Sequence, residues 1–212
     1  MLKLSLHTMK TLLIVDVQND FCTGGALEVP EGDQIVPVIN QLIPHFDAVI
    51  QTQDWHPQEH SSFASSHKNK QPFETIEMPY GPQTLWPNHC VQGSDGAAFH
   101  PDLITNPTQL IIRKGFRKHI DSYSAFYEND KKTSTGLNGY LRERNINELY
   151  VAGLATDFCV KWSVLDALEE GYEVTVIDDV VKGIDMDGSV EEAWNEMDAA
   201  GADRVSSMEL LK

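Results

Sequence analysis

Residues 148–179 read ELYVAGLATDFCVKWSVLDALEEGYEVTVIDD. The run 148–154 is apolar and short, the composition of a buried strand. From Thr156 the positions Val160, Val164 and Leu168 mark one helical face, and Gly171 stands where a helix stops. The run 173–179 is again apolar and β-branched. Strand, helix and strand in succession point to parallel pairing with a helix covering the sheet.

The rest of the chain repeats this alternation. TLLIVDVQ (11–18), DAVIQTQ (47–53) and QLIIRKG (109–115) read as three more strands. Helices are predicted over 33–46, where Ile35, Val38, Ile39, Leu42 and Ile43 share a face, and over 133–144. A last one runs from a capping box of Ser189 and Glu192 to about Ala200, with Val205 in a short final strand or tail. Residues 54–108 are rich in Pro, His, Asn and Gly without periodicity, and structureless stretches that long are usually functional. The expected fold is α/β: a single domain over 11–212, doubly wound, with a mostly parallel sheet and helices on both faces. Residues 1–10 form an N-terminal extension.

Composition narrows the partners. The 212 residues carry 32 acidic against 16 basic side chains, a formal net charge of −16. That field repels nucleic acid and anionic membrane surfaces. No apolar run approaches the ~18 residues of a membrane span, and the start MLKLSLHTMK lacks the apolar core of a secretory signal. Cys22, Cys90 and Cys159 are odd in number and scattered, so neither a disulfide framework nor a CxxC metal pair is indicated, and the cytoplasm is the expected compartment. No GxGxxG follows the first strand, so a dinucleotide-binding domain lacks its signature.

In such sheets ligands bind beyond the carboxyl ends of the strands. Those ends carry Asp16, Asp54 with His56, Lys114, and the Ala155–Cys159 turn. With Thr156 as N-cap, Cys159 falls in the first helical turn, where free N–H groups and the helix dipole lower a thiol pKa and can hold an oxyanion. The alternative is a small thiol packing the strand–helix junction. Asp16 lies in a run otherwise fit for burial and needs a partner. Lys114 can supply it, either in a structural ion pair or as the cation of a thiol-activating pair. Asp54 and His56 share a face of extended chain, and His89 in LWPNHC can fold over them. One carboxylate and two imidazoles suit zinc, iron or manganese; loop histidines without a metal are the other reading. Phe21, Trp55, Trp86 and Tyr123 are rim-loop aromatics that either wall a flat ring or pack local core.

Six stretches in order, LLIVDVQNDFCTGGAL, QTQDWHPQEHSSFA, LWPNHCVQGSDGAAFHP, IIRKG, DSYSAF and VAGLATDFCVKWS, cover nearly the whole chain. Together they resemble the nicotinamidase branch of the isochorismatase-like cysteine hydrolases. The resemblance implies hydrolysis of nicotinamide to nicotinate and ammonia, and of pyrazinamide to pyrazinoate, in NAD salvage. It makes Cys159 the nucleophile, Asp16 the general acid/base and Lys114 the adjoining cation. It implies a cis Leu154–Ala155 peptide and an oxyanion hole from the N–H groups of Ala155 and Cys159. Asp54, His56 and His89 become ligands of one divalent metal, zinc or iron foremost and manganese next. Phe21, Trp86 and Tyr123 become walls of the ring pocket. Ser62 would hold a metal-bound water, and whether His60 contributes to the metal shell is left open. Other amidases and isochorismatases of this fold lack the D-x-H…H set. A metal hydrolase with an incidental cysteine and a catalytically silent binding domain are the competing readings, and homo-oligomerisation is left open.

Overall fold

The computed structural model describes residues 9–212. Most of the expected extension lies outside the described residues, and its last residue, Lys10, already opens the first strand. Six strands form one sheet: β1 (Lys10–Val15), β2 (Ala48–Asp54), β5 (Leu110–Lys114), β6 (Glu148–Leu154), β7 (Glu173–Lys182) and β8 (Asp203–Val205). The order is β5-β2-β1-β6-β7-β8 and every pairing is parallel. The chain winds outward from β1 to β5, then returns to β6 and winds the other way. The switch point therefore falls between β1 and β6, where open α/β sheets leave a crevice.

Both faces are covered, as expected. Leu12 and Ile14 point into the layer containing α1 (Val36–Leu42). Leu13 and Val15 point into the layer of α2 (Leu137–Glu143), α3 (Lys161–Glu169) and α4 (Ser189–Ala200). All four are at most 1% exposed, which explains why β1 reads as an uninterrupted apolar run rather than an alternating one.

The boundaries differ from the sequence reading for local reasons. β1 stops at Val15 because Asp16 takes a left-handed backbone, φ 48°. The Gln18 side chain then does a strand's work: its Oε1 accepts from Asp54 N–H (2.8 Å) and its Nε2 donates to Asp54 O (2.9 Å). The helix expected over 33–46 is divided by 3₁₀ turns at Gly32–Ile35 and Ile43–His45, with Pro37 opening α1 and Pro44 closing it. The 54–108 stretch holds an antiparallel hairpin, β3 (Thr75–Met78) and β4 (Gly81–Thr84), whose four-residue strands are too short to show a period. The Ser189–Glu192 capping box does not form: Gly188 is the N-cap of α4, and Ser189 is engaged elsewhere. A capping box does open the last helix, α5 (Ser207–Leu210), from Ser206 and Glu209.

Candidate active site

Lys114 ends the edge strand β5 and reaches across β2 and β1 beneath the switch point. It is 1% exposed. Its Nζ lies 2.7 Å from Asp16 Oδ2 and 3.2 Å from Cys159 Sγ, donates to Ser122 O at 3.0 Å, and pairs with Asp54 Oδ1. Asp16 is fixed by Thr52, whose hydroxyl donates to Oδ1 (2.6 Å) and accepts from the Asp16 N–H (3.1 Å). Asp16 Oδ2 has the ion pair but no well-aligned hydrogen bond, so this buried oxygen retains an open lone pair.

The expected helix-terminus effect on Cys159 is corrected by the structure. Ala155, not Thr156, is the N-cap, and Thr156–Val160 form a wide π-type turn before α3. Burial pushes the Cys159 thiol well above the ordinary range, with Lys114 only partly offsetting it. Burial likewise raises the Asp16 carboxyl against the pull of Lys114. The Leu154–Ala155 peptide is cis, as the resemblance implies.

A second group meets the first at Asp54. His56 Nδ1 donates to Gly115 O (2.9 Å) and His89 Nδ1 to Pro87 O (2.8 Å), which leaves the Nε2 lone pair of each ring turned inward. These nitrogens lie 3.5 Å and 3.7 Å from Asp54 Oδ2, too far for hydrogen bonds, and all three atoms fall within 4.8 Å of one another. Burial opposes the Asp54 charge, but Lys114 holds it well below the usual carboxylate range. Two imidazole lone pairs and an ionised carboxylate, each oriented by an outer partner, fit one divalent cation.

His60 is not part of that set. Its Nε2 donates to Arg117 O and Ile120 O, and its Nδ1 takes the Ser62 hydroxyl at 2.7 Å. Ser62, expected to hold a metal-bound water, lies behind His60 and is not on the cavity wall. Asp121 is there instead, with Oδ1 4.0 Å from His56 Nε2 and its carboxylate held by Ser122 N–H and Gln83 Nε2.

These groups open onto a small cavity. Phe21, Trp86 and Tyr123 line it, and Leu27, Phe158 and Ile184 extend its apolar wall. Phe158 meets Trp86 edge-on at 4.8 Å. Trp55 is not on the wall; its ring packs under the Arg113 guanidinium at 3.8 Å. Phe158 and Asp121 escaped the sequence reading, although both lie inside quoted motifs.

The Isochorismatase domain profile matches residues 10–209. The nicotinamidase of Acinetobacter baylyi is 58% identical over 200 residues, 94% of each chain. The solved Acinetobacter baumanii nicotinamidase/pyrazinamidase superposes with a TM-score of 0.94 at 56% identity, covering 96% of this chain and 98% of that one. The zinc complex of the Pyrococcus horikoshii pyrazinamidase superposes at 0.76, with 37% identity and coverage of 93% and 99%.

Proposed function

This chain belongs to the isochorismatase family, and from that premise we infer that it is a cysteine amidohydrolase converting nicotinamide to nicotinate and ammonia, and pyrazinamide to pyrazinoate. The observation that carries this reading is Cys159, backed by Lys114 and Asp16, in one cavity with the Asp54–His56–His89 set. Within the family, the lining suits a flat aromatic amide, since Phe21, Trp86, Tyr123 and Phe158 wall the cavity with rings.

Asp16 Oδ2, with its open lone pair, takes the Cys159 proton while Lys114 stabilises the thiolate that forms. The sulfur attacks the amide carbon, and the N–H groups of Ala155 and Cys159 receive the oxyanion. Asp16 returns the proton to the departing ammonia, then activates the water that cleaves the thioester. Asp54, His56 and His89 would hold the divalent metal, zinc or iron ahead of manganese, as supported by the zinc complex of the Pyrococcus horikoshii relative. When bound, the metal supplies a Lewis-acidic anchor for the ring nitrogen. A reducing, cytoplasmic setting in NAD salvage belongs to the same reading and agrees with three unpaired cysteines.

The test is ammonia release from nicotinamide by the purified protein, with Cys159→Ala alongside. Wild type is expected to turn over and the variant to lose at least about 10³-fold, the scale of a lost nucleophile. Substantial release by the variant would transfer the chemistry to the metal and reject the covalent route.

A further inference from the structure

The chemistry above leaves one buried carboxylate beside the nucleophile without a task. Asp157, two residues before Cys159, is 2% exposed. Its carboxylate accepts from the N–H groups of Ile184 (3.0 Å) and Asp185 (2.8 Å) and from the Ser189 hydroxyl (2.6 Å). Ile184 and Asp185 belong to the connection between β7 and α4, and Ser189 opens α4. That connection leaves β7 next to the nucleophile turn, since Lys182 pairs with Leu154. It is packed tightly: a Cβ on Gly183 would lie 2.2 Å from Val190 Cγ2 and 3.0 Å from Asp157 Oδ1. Its contribution to the cavity wall is Ile184.

We propose that Ile184 determines how large a ring the cavity admits, and that Asp157 is the positioning residue that fixes Ile184 beside Cys159. The inference rests on the carboxamide reading of the site. A carboxyl group holding two backbone N–H groups and a hydroxyl is a strong local restraint. Wall and nucleophile thus hang from one five-residue turn, Thr156–Val160. The substrate class follows: single-ring carboxamides are accepted and fused bicyclic ones excluded.

The experiment measures kcat and KM for nicotinamide and for quinoline-3-carboxamide, which adds a fused ring, in wild type, Ile184→Ala, Asp157→Asn and Ser189→Ala. Wild type is expected to prefer nicotinamide by at least a hundredfold in kcat/KM. Ile184→Ala should narrow that preference by tenfold or more, within the ~10–200-fold that apolar contacts of a methylene or more control. Asp157→Asn and Ser189→Ala should narrow it in the same direction, with the loss on nicotinamide falling on KM more than on kcat. Iodoacetamide labelling of Cys159 should slow far less than selectivity changes. An unaltered preference in Ile184→Ala overturns the inference while leaving the function standing. So does an Asp157→Asn variant that is less stable but equally selective, or one whose Cys159 labelling falls as far as its turnover. Wild type inert toward nicotinamide overturns the function, and the inference with it. Should Asp157→Asn not fold, Ile184→Ala and Ser189→Ala decide the matter.

Discussion

At the scale of a single residue, the site turns on Lys114. One ammonium faces Asp16, Asp54 and the Cys159 thiol in a region closed to water. Removing one partner of a buried ion group leaves uncompensated charge, which costs about 3–5 kcal/mol, whereas an exposed pair is worth about 0–1 kcal/mol. Lys114→Met is therefore expected to lose about 3–5 kcal/mol in urea unfolding and to release no ammonia. Adding Asp16→Asn removes one stranded carboxylate and should restore part of the stability without the activity. A cost below about 1 kcal/mol for the single change would mean that the group is effectively solvated. Lys114, Asp16 and Cys159 were legible in the sequence because ionisable or nucleophilic side chains interrupt, or directly follow, apolar strands. Asp121 and Asp157 were not. A loop carboxylate in a chain with 32 acidic residues carries no mark of its burial.

At the scale of elements, the proposed metal-binding set depends on how β5 ends. Gly115 has φ +67°, its carbonyl takes the His56 Nδ1–H, and a Cβ there would lie 2.3 Å from His56 Cε1. Gly115→Ala should thus push the imidazole out of line while Cys159 and Lys114 stay in place. The expected result is a fall in zinc affinity of about 10–100-fold, the usual effect of disturbing an outer partner, measured by competition with a chromophoric chelator. Iodoacetamide labelling of Cys159 should persist. Wild-type zinc affinity in this variant would show that His56 is not a ligand. The strands themselves were readable because β1 and β6 are buried on both faces and run largely apolar after their first residues, and β2 opens on the apolar Ala48–Ile50. Their ends and caps were not, because side chains had replaced backbone partners. Gln18 extends β1's pairing to Asp54, and Ser189 leaves the capping role to bind Asp157.

At the scale of the whole molecule, the doubly wound sheet buries groups that ordinarily ionise in mild alkali. Burial and Asp33 push the Cys22 thiol up to about 11. Burial, with Asp54, Asp20 and Asp16 near it, raises Cys90 well above the ordinary range. Cys159 is raised by burial despite Lys114, and Tyr123 by burial with Asp121 beside it. Each of these groups holds its proton more tightly in the native state than in the unfolded chain, where thiols ionise from about 8.5 and tyrosines from about 10. Above about pH 8.5 the unfolded chain therefore binds fewer protons than the native one, and stability falls as pH rises. Urea midpoints under a reductant should be nearly level from pH 7 to pH 8 and then decline steadily to pH 10.5. The net charge of −16 could bend the same curve through surface repulsion. Repeating the series in 1 M salt, where the screening length is about 3 Å, removes that contribution and leaves the buried groups. A Cys22→Ala/Cys90→Ala variant should then show a shallower decline than wild type. A level or rising profile in high salt would mean that these thiols reach water in the native state, and that the packing around the switch point is looser than the sheet implies.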